Sequence, residues 1–232
     1  MSLAPLRHAT RPGKRSRTLD DILASAQRLL LTRSAASLSI SEVAAEAGVV
    51  QGTFYNYFED IDALLDEVGH VLLARVADHL ARVADHCATP AETFSAKTRQ
   101  ALRAFSQNPG LGRMLFDIGL PVDRFLRQLH HDIKADLTDG LKTGDFKAAN
   151  PDLLLSTVCG AITGVALDLH RKRLPTAAID AATAELLQLL GVPAAKAKRI
   201  SSAKMTFAAP IHLPLTWHSP VDAISPSRGQ QP

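Results

Sequence analysis

Cysteine, aromatic residues and long apolar runs are all scarce in this chain, and each scarcity closes off a class of protein. Cys87 and Cys159 are its two cysteines in 232 residues. That is too few for a disulfide framework, and both fall in helical patterns, where they read as small, reduced core residues of a cytoplasmic protein. No apolar run approaches the roughly 20 residues that cross a bilayer, so no membrane partner is expected. The basic N-terminus is not followed by an apolar segment, which excludes a secretory signal there. No stretch alternates apolar and polar residues over a useful length, so strands are not expected. Catalytic signatures are missing too: there is no His-Glu-x-x-His pattern, no glycine-rich phosphate loop and no activated serine or cysteine motif. His130 and His131 are adjacent and diverge around a helix. Neither an enzyme nor a cofactor is expected.

What aromatic content exists is gathered in one place. Aromatics are 5% of the chain, yet both tyrosines and two phenylalanines fall within Gln51-Gly52-Thr53-Phe54-Tyr55-Asn56-Tyr57-Phe58. The stretch follows Ser41-Glu42-Val43-Ala44-Ala45-Glu46-Ala47-Gly48-Val49, which reads as a short helix ending in a glycine turn. Helix, turn, then a small helix rich in hydroxyls and amides is the layout of a helix-turn-helix DNA reader. Phe54 and Phe58, four apart, share a face and read as core, with Ile40, Val43 and the first helix as partners. Tyr55 and Tyr57 then point elsewhere, alongside Gln51, Thr53 and Asn56. Tyrosine hydroxyls donate to phosphate oxygens, and Gln, Thr and Asn reach base edges or phosphates in the major groove. Gly52 leaves room for a close backbone approach. Ser39 and Ser41, at the start of the preceding helix, complete the DNA-facing set.

Charge supports the same reading. The net +3 conceals a division: residues 1–17 carry Arg7, Arg11, Lys14, Arg15 and Arg17 with no acid, giving +5, and residues 192–232 sum to +4. The intervening 18–191 is therefore −6. A basic arm beside an acidic reader supplies attraction for a nucleic-acid backbone, with Lys14, Arg15 and Arg17 nearest to it.

Helix starts recur along the chain. Thr18 with Asp21 makes a box-like N-cap, after which Leu19, Ile22, Leu23, Ala26, Leu29 and Leu30 repeat at helical spacing. Ser39 with Glu42 forms a capping box. Thr89-Pro90 with Glu92, Asn108-Pro109 and Asn150-Pro151 each place a cap before a proline at the first helical position. Pro121 and Pro175 mark two further boundaries. The expectation is an all-α chain of about nine helices, divided into a basic arm (1–17), a three-helix reader (18–59), a helical body (60–191) and a proline-rich, extended or disordered tail (192–232). The tail holds Ile211, Leu213, Leu215 and Trp217 as a docking strip. The longest helix, about 60–87, spans roughly 40 Å. In it Arg75-Val76-Ala77-Asp78-His79 recurs as Arg82-Val83-Ala84-Asp85-His86. The repeat reads as a solvated, ion-paired face rather than a metal site, since His79 and His86 lie two turns apart with no third ligand.

The reader resembles the N-terminal domain of the TetR family of one-component transcriptional regulators. The resemblance is carried by Thr18, Ile22, Leu23 and Ala26, then Ser39-Ile40, Val43-Ala44, Ala47-Gly48-Val49, Gly52, Phe54-Tyr55, Phe58 and Leu64, over about residues 18–65. Where that family usually has serine, histidine and lysine, this chain has Val50, Tyr57 and Ile61. Tyr57 can still donate to phosphate, but Ile61 cannot. Residues 18–58 hold Arg28 and Arg33 against Asp20, Asp21, Glu42 and Glu46, a sum of −2, so the basic arm is expected to supply much of the backbone attraction.

The resemblance also implies a C-terminal lobe that binds a small effector and dimerises through its last two helices. Leu154, Val158, Gly160, Gly164, Leu186, Leu187 and Leu190 fit the dimer role, with the glycines allowing close helix approach. Phe94, Phe105, Met114, Phe116, Phe125 and Leu129, with His130, His131 or Arg99 as polar anchors, fit an apolar or amphipathic effector. The implied function is a ligand-responsive, homodimeric repressor of a double-stranded operator. The alternatives are a helix-turn-helix regulator that acts through protein contacts without a ligand response, and an all-α enzyme.

Overall fold

The computed structural model describes residues 13–118 and 122–219, with the side chains of 122–126 and 128 set aside. Ten α-helical segments and no strand occur among the described residues: α1 Lys14–Leu30, α2 Ile40–Glu46, α3 Gln51–Phe54, α4 Ile61–Ala84, α5 Pro90–Gln107, α6 Pro109–Gly112, α7 Val122–Thr143, α8 Pro151–His170, α9 Ile179–Leu189 and α10 Ala194–Ser201. Helices α1 to α3 form a head, and α4 runs from it into the body.

The head is built from local chemistry. Helix α1 begins four residues before the expected Thr18 cap, with extended Gly13 at its N-cap. The Thr18 hydroxyl instead donates back to the Lys14 carbonyl at 3.2 Å. Lys14, Arg15 and Arg17 consequently ride on the first turns of α1 rather than on a preceding arm; Arg7 and Arg11 lie outside the described residues. On α2 the expected capping box is present, with the Ser39 hydroxyl and Glu42 carboxylate each bonding the other's backbone N–H. That hydroxyl, and then the Arg33 guanidinium, hold the Glu42 carboxyl below its usual range. Ile22, Leu23, Ala26, Leu30, Val43 and Phe54 close the head's core, Phe54 being wholly buried. Truncating such a phenylalanine costs about 3–5 kcal/mol.

Helix α5 is the centre of the body, packing against α4, α7, α8, α9 and α10. A capping box at Thr89 and Glu92 starts it, as expected, and Asn108 and Asn150 cap α6 and α8 through their side chains. One core runs from the head through α4 to Phe105, Leu111 and Met114. A second joins Phe94, Ile133, Phe146, Val158, Leu187 and Ile200, with Phe94 and Phe146 meeting edge to face at 6.1 Å.

Three expectations need correction. The repeat on α4 is not all surface: Arg75 and His79 are 5% and 2% exposed. Steps of four, three and four residues from Val68 through Leu72 and Arg75 to His79 follow the 3.6-residue period into the core. Second, residues 192–219 are packed rather than an extended tail, and 220–232 lie outside the described residues. They form α10, then a strap whose Ile211 and Leu215 are buried in the first core, with Leu213 and Trp217 packed against it. Third, α8 is long and apolar enough to cross a membrane by length and composition, with mean hydropathy 1.6 and 33% of that window buried. The core helix of a soluble protein passes the same test of length and composition.

Candidate nucleic-acid interface

Helix α2, the turn at Gly48 and helix α3 place the reading residues. Gly48 turns the chain with φ +66°, a conformation that side chains disfavour. Helix α3 is a single turn, and bonds from Asn56 N to Thr53 O (3.2 Å) and from Tyr57 N to Phe54 O (2.9 Å) tighten the exit. Phe54 and Phe58 face inward, their rings 5.6 Å apart, as their spacing led us to expect. The outward face carries Gln51, Gly52, Tyr55 and Asn56, all exposed, with Val50 and Tyr55 exposed by 73% and 57%. Thr53 and Tyr57 are half-buried. Ser41 is exposed and lies 3.1 Å from the half-buried Ser39, which is engaged in the capping box. A Cβ added at Gly52 meets nothing within 4 Å, so no packing inside the chain demands glycine there.

Electrostatics divide the cations into two groups. Arg28 pairs with Glu46 at 2.8 Å, and Arg33 pairs with Glu42, so both arginines of the reader are turned onto acids of α2. Lys14, Arg15 and Arg17 are exposed on α1. The Arg15 guanidinium lies 5.9 Å from the Tyr57 ring centre. Arg15 and Ser16 also line, with Asn56 and Tyr57, an open cleft of about 590 Å³ between α1 and the turn leading into α4. A cation, a hydroxyl, an amide and a phenol are groups that hold a phosphodiester backbone; the Glu67 carboxylate shares the cleft and is engaged by Trp217.

The residues expected around an effector fall into two groups. Phe105, Met114 and Phe116 belong to the first core, with the Phe105 and Phe116 rings 5.3 Å apart. Phe94 belongs to the second, and Leu129 borders both. His130 is half-buried and His131 exposed; the side chain of Phe125 lies outside the described residues. Arg99 is spoken for elsewhere, bonded to Asp180 at 2.9 Å and to the Ala203 carbonyl at 2.7 Å. Sequence reasoning missed the buried polar residues His79, Ser95 and Thr98, contributed by α4 and α5. The Ser95 hydroxyl has no hydrogen-bond partner among the described residues. It missed His170 as well, which lies 6.0 Å from the Phe116 ring and bonds Asp117 at 2.7 Å.

The expected dimer residues also divide. Val158, Leu186, Leu187 and Leu190 are buried in the protomer's own second core, which Ala197 and Ile200 of the unforeseen α10, packed on α9, complete. Leu154 is half-buried, while Gly160 and Gly164 are exposed and open, with nothing within 4 Å of an added Cβ. They share a stripe of α8 with Leu153, 65% exposed, and Thr157; on α9, Leu189 is 41% exposed. Burial of Cys159 pushes its thiol up to about 11, as suits an inert core residue.

Comparison with known proteins agrees with this architecture. A family profile described as "Bacterial regulatory proteins, tetR family" matches residues 22–68, and one described as "Tetracyclin repressor-like, C-terminal domain" matches residues 89–203. An uncharacterised HTH-type transcriptional regulator of Mycobacterium tuberculosis, Rv1255c, is 33% identical over 92 residues, covering 40% of this chain and 46% of that protein. The chain thus matches a little under half the length of its curated relatives. Among solved structures, RolR in complex with resorcinol is similar over 82% of this chain and 96% of its own, with a TM-score of 0.64 and 28% identity. The fatty acid degradation regulator FadR of Bacillus halodurans shares the fold at 18% identity, with a TM-score of 0.63 over 73% of this chain and 97% of its own.

Proposed function

The chain belongs to the TetR family of transcriptional regulators, and from that premise we propose that it is a repressor that binds a palindromic operator as a homodimer and is released by a small effector. The observation that carries the DNA reading is the outward face of α3, where Gln51, Gly52, Tyr55 and Asn56 stand exposed beside the Arg15 cleft while Phe54 and Phe58 hold the helix from beneath. Gln51, Thr53 and Asn56 read bases; Tyr55, Tyr57, Ser41 and the cations of α1 hold phosphates. One such head covers a half-site, so two copies are required for a palindrome.

The second copy docks on the apolar stripe of α8. Leu153, Thr157, Gly160 and Gly164 form a stripe of α8 that nothing among the described residues covers, and Leu189 is exposed on α9. The effector enters among α4, α5, α7 and α8, where Phe105, Met114 and Phe116 supply apolar wall and His79, Ser95 and Thr98 supply buried polar groups. That mixture suits an amphipathic molecule with a ring and a hydroxyl, and RolR, which is similar to this chain, binds resorcinol. Effector that favours one spacing of the heads shifts the dimer away from DNA. Such a regulator works in the cytoplasm, without catalysis.

The test is selection from random duplex DNA by wild-type protein and by Gln51→Ala and Asn56→Ala variants. A symmetric consensus whose base preference changes in the variants supports the proposal. An identical consensus in all three proteins removes α3 from base reading.

A further inference from the structure

The strap beyond α10 lies outside both matched segments, which end at residues 68 and 203. It touches the body first. Arg99 and Arg103 of α5 lie 5.5 and 4.4 Å from the Phe207 ring centre, Ala208 N donates to Gln100 at 3.0 Å, and Asn108 bonds the Ile211 carbonyl. It then crosses to the head and α4. Gln27 of α1 holds Leu215 at both backbone groups, accepting from its N–H at 2.8 Å and donating to its carbonyl. Trp217 Nε1 donates to Glu67 of α4 at 2.7 Å, Arg75 donates to the Ser219 carbonyl at 2.9 Å, and His218 sits 2.8 Å from Asp20 of α1.

Two details indicate that the head is built to receive this segment. Gln27 is wholly buried, on the same face of α1 as Leu23 and Leu30, where packing alone calls for an apolar residue. A buried carboxamide needs partners for both of its ends; Leu215, 188 residues away in sequence, supplies one at each end. At the crossing point a Cβ on Gly110 of α6 comes within 2.9 Å of Leu213 and 3.0 Å of Leu31, so strap, body and end of α1 meet over a bare glycine.

We propose that residues 204–219 position the reading head on the body, with Gln27, Leu215 and Trp217 as positioning residues, and that they thereby set the half-site spacing the dimer accepts. The strap leans on α5 and α6, the helices that carry Phe105 and lead to Met114, so movement there reaches α1 through it as well as through α4. The consequence for operator choice rests on the DNA-binding reading above; the positioning does not.

Two measurements on full-length protein test this. The variants are Gln27→Leu, which keeps the head's core filled while removing both bonds to Leu215, and Trp217→Ala, with Trp217→Phe as the conservative rescue. Hydrogen exchange should quicken about tenfold in α1 and the first half of α4 of both variants, with α8 and α9 unchanged and Trp217→Phe closer to wild type. Duplexes carrying the operator selected by wild-type protein, with half-sites moved apart or together by one and two base pairs, should be discriminated about tenfold by wild type and within about twofold by the variants, half-site base preference being kept. Unchanged exchange in α1 and α4, or uniform acceleration across all helices, overturns the positioning role. Local acceleration with wild-type spacing discrimination overturns the link to operator choice. If wild type selects no operator, the DNA reading falls and exchange alone decides the strap.

Discussion

The outward faces of α3 and α8 are both uncovered among the described residues, yet they differ in chemistry. Helix α3 is a single turn that exposes an amide, a phenol and a second amide beside the cleft that Arg15 lines. Helix α8 is twenty residues long and exposes leucine, threonine and two open glycines. Donor-rich surface near cations is satisfied by a hydrated polyanion and stays soluble without it. Apolar surface with bare glycines is satisfied by close packing against similar surface. The contrast supports the proposed partner of each face: nucleic acid at α3 and a second copy at α8.

The largest expected effect comes from breaking the α8 face. Gly164→Leu should give monomer or aggregate by sedimentation, with the head still helical, and should weaken operator binding about 100-fold or more, since each head then binds alone. A wild-type monomer at micromolar concentration would contradict the arrangement outright. Next in size are Tyr55→Phe and Tyr57→Phe, each weakening operator binding by about 0.5–3 kcal/mol for a lost hydrogen bond to a charged phosphate, with little change in thermal midpoint. Unchanged affinity in both removes these hydroxyls from the interface.

Removing residues 1–15 should have a smaller effect on affinity but a clear one on its salt dependence. Because Arg28 and Arg33 are engaged by Glu46 and Glu42, Lys14 and Arg15 are expected to carry much of the phosphate contact. The slope of log affinity against log salt should flatten by about 0.9 per lost contact, with base preference kept. Parallel salt lines of equal height would leave the cations idle. Smallest is the capping box of α2. The Ser39 hydroxyl and then Arg33 lower the Glu42 pKa below 4.5. A carboxyl depressed in the folded state contributes stability above its unfolded value, and that contribution is lost as pH falls through the folded one. Glu42→Gln should therefore lose less of its thermal midpoint than wild type on acidification below pH 4.5. Equal losses would show that the pair adds nothing.

The head was legible in the sequence because its chemistry is local. Ser39 and Glu42 are three apart, Phe54 and Phe58 four apart, and Gly48 marks its own turn. The caps at Thr89, Asn108 and Asn150 were legible for the same reason. The strap was not, because its proline-rich, aperiodic run is ordered by Gln27, Glu67 and Asn108, residues more than a hundred positions away. Leu186, Leu187 and Leu190 were apolar in the right place, but sequence alone could not say that α10 would cover them first. The repeated Arg-Val-Ala-Asp-His motif misled for a related reason: its two copies are chemically identical, yet His79 is buried on the core face of α4 while His86 is exposed in the turn beyond the helix end at Ala84.

The most direct test of the central claim is a hydroxyl-radical footprint of wild-type protein on an operator selected from random DNA, with the stoichiometry measured on the same complex. Two copies per duplex, protecting two symmetric half-sites whose centres lie on one face of the helix at about 10 base pairs or a multiple of that, is the predicted result. A single protected half-site with one bound copy, or protection without a preferred sequence, would contradict it.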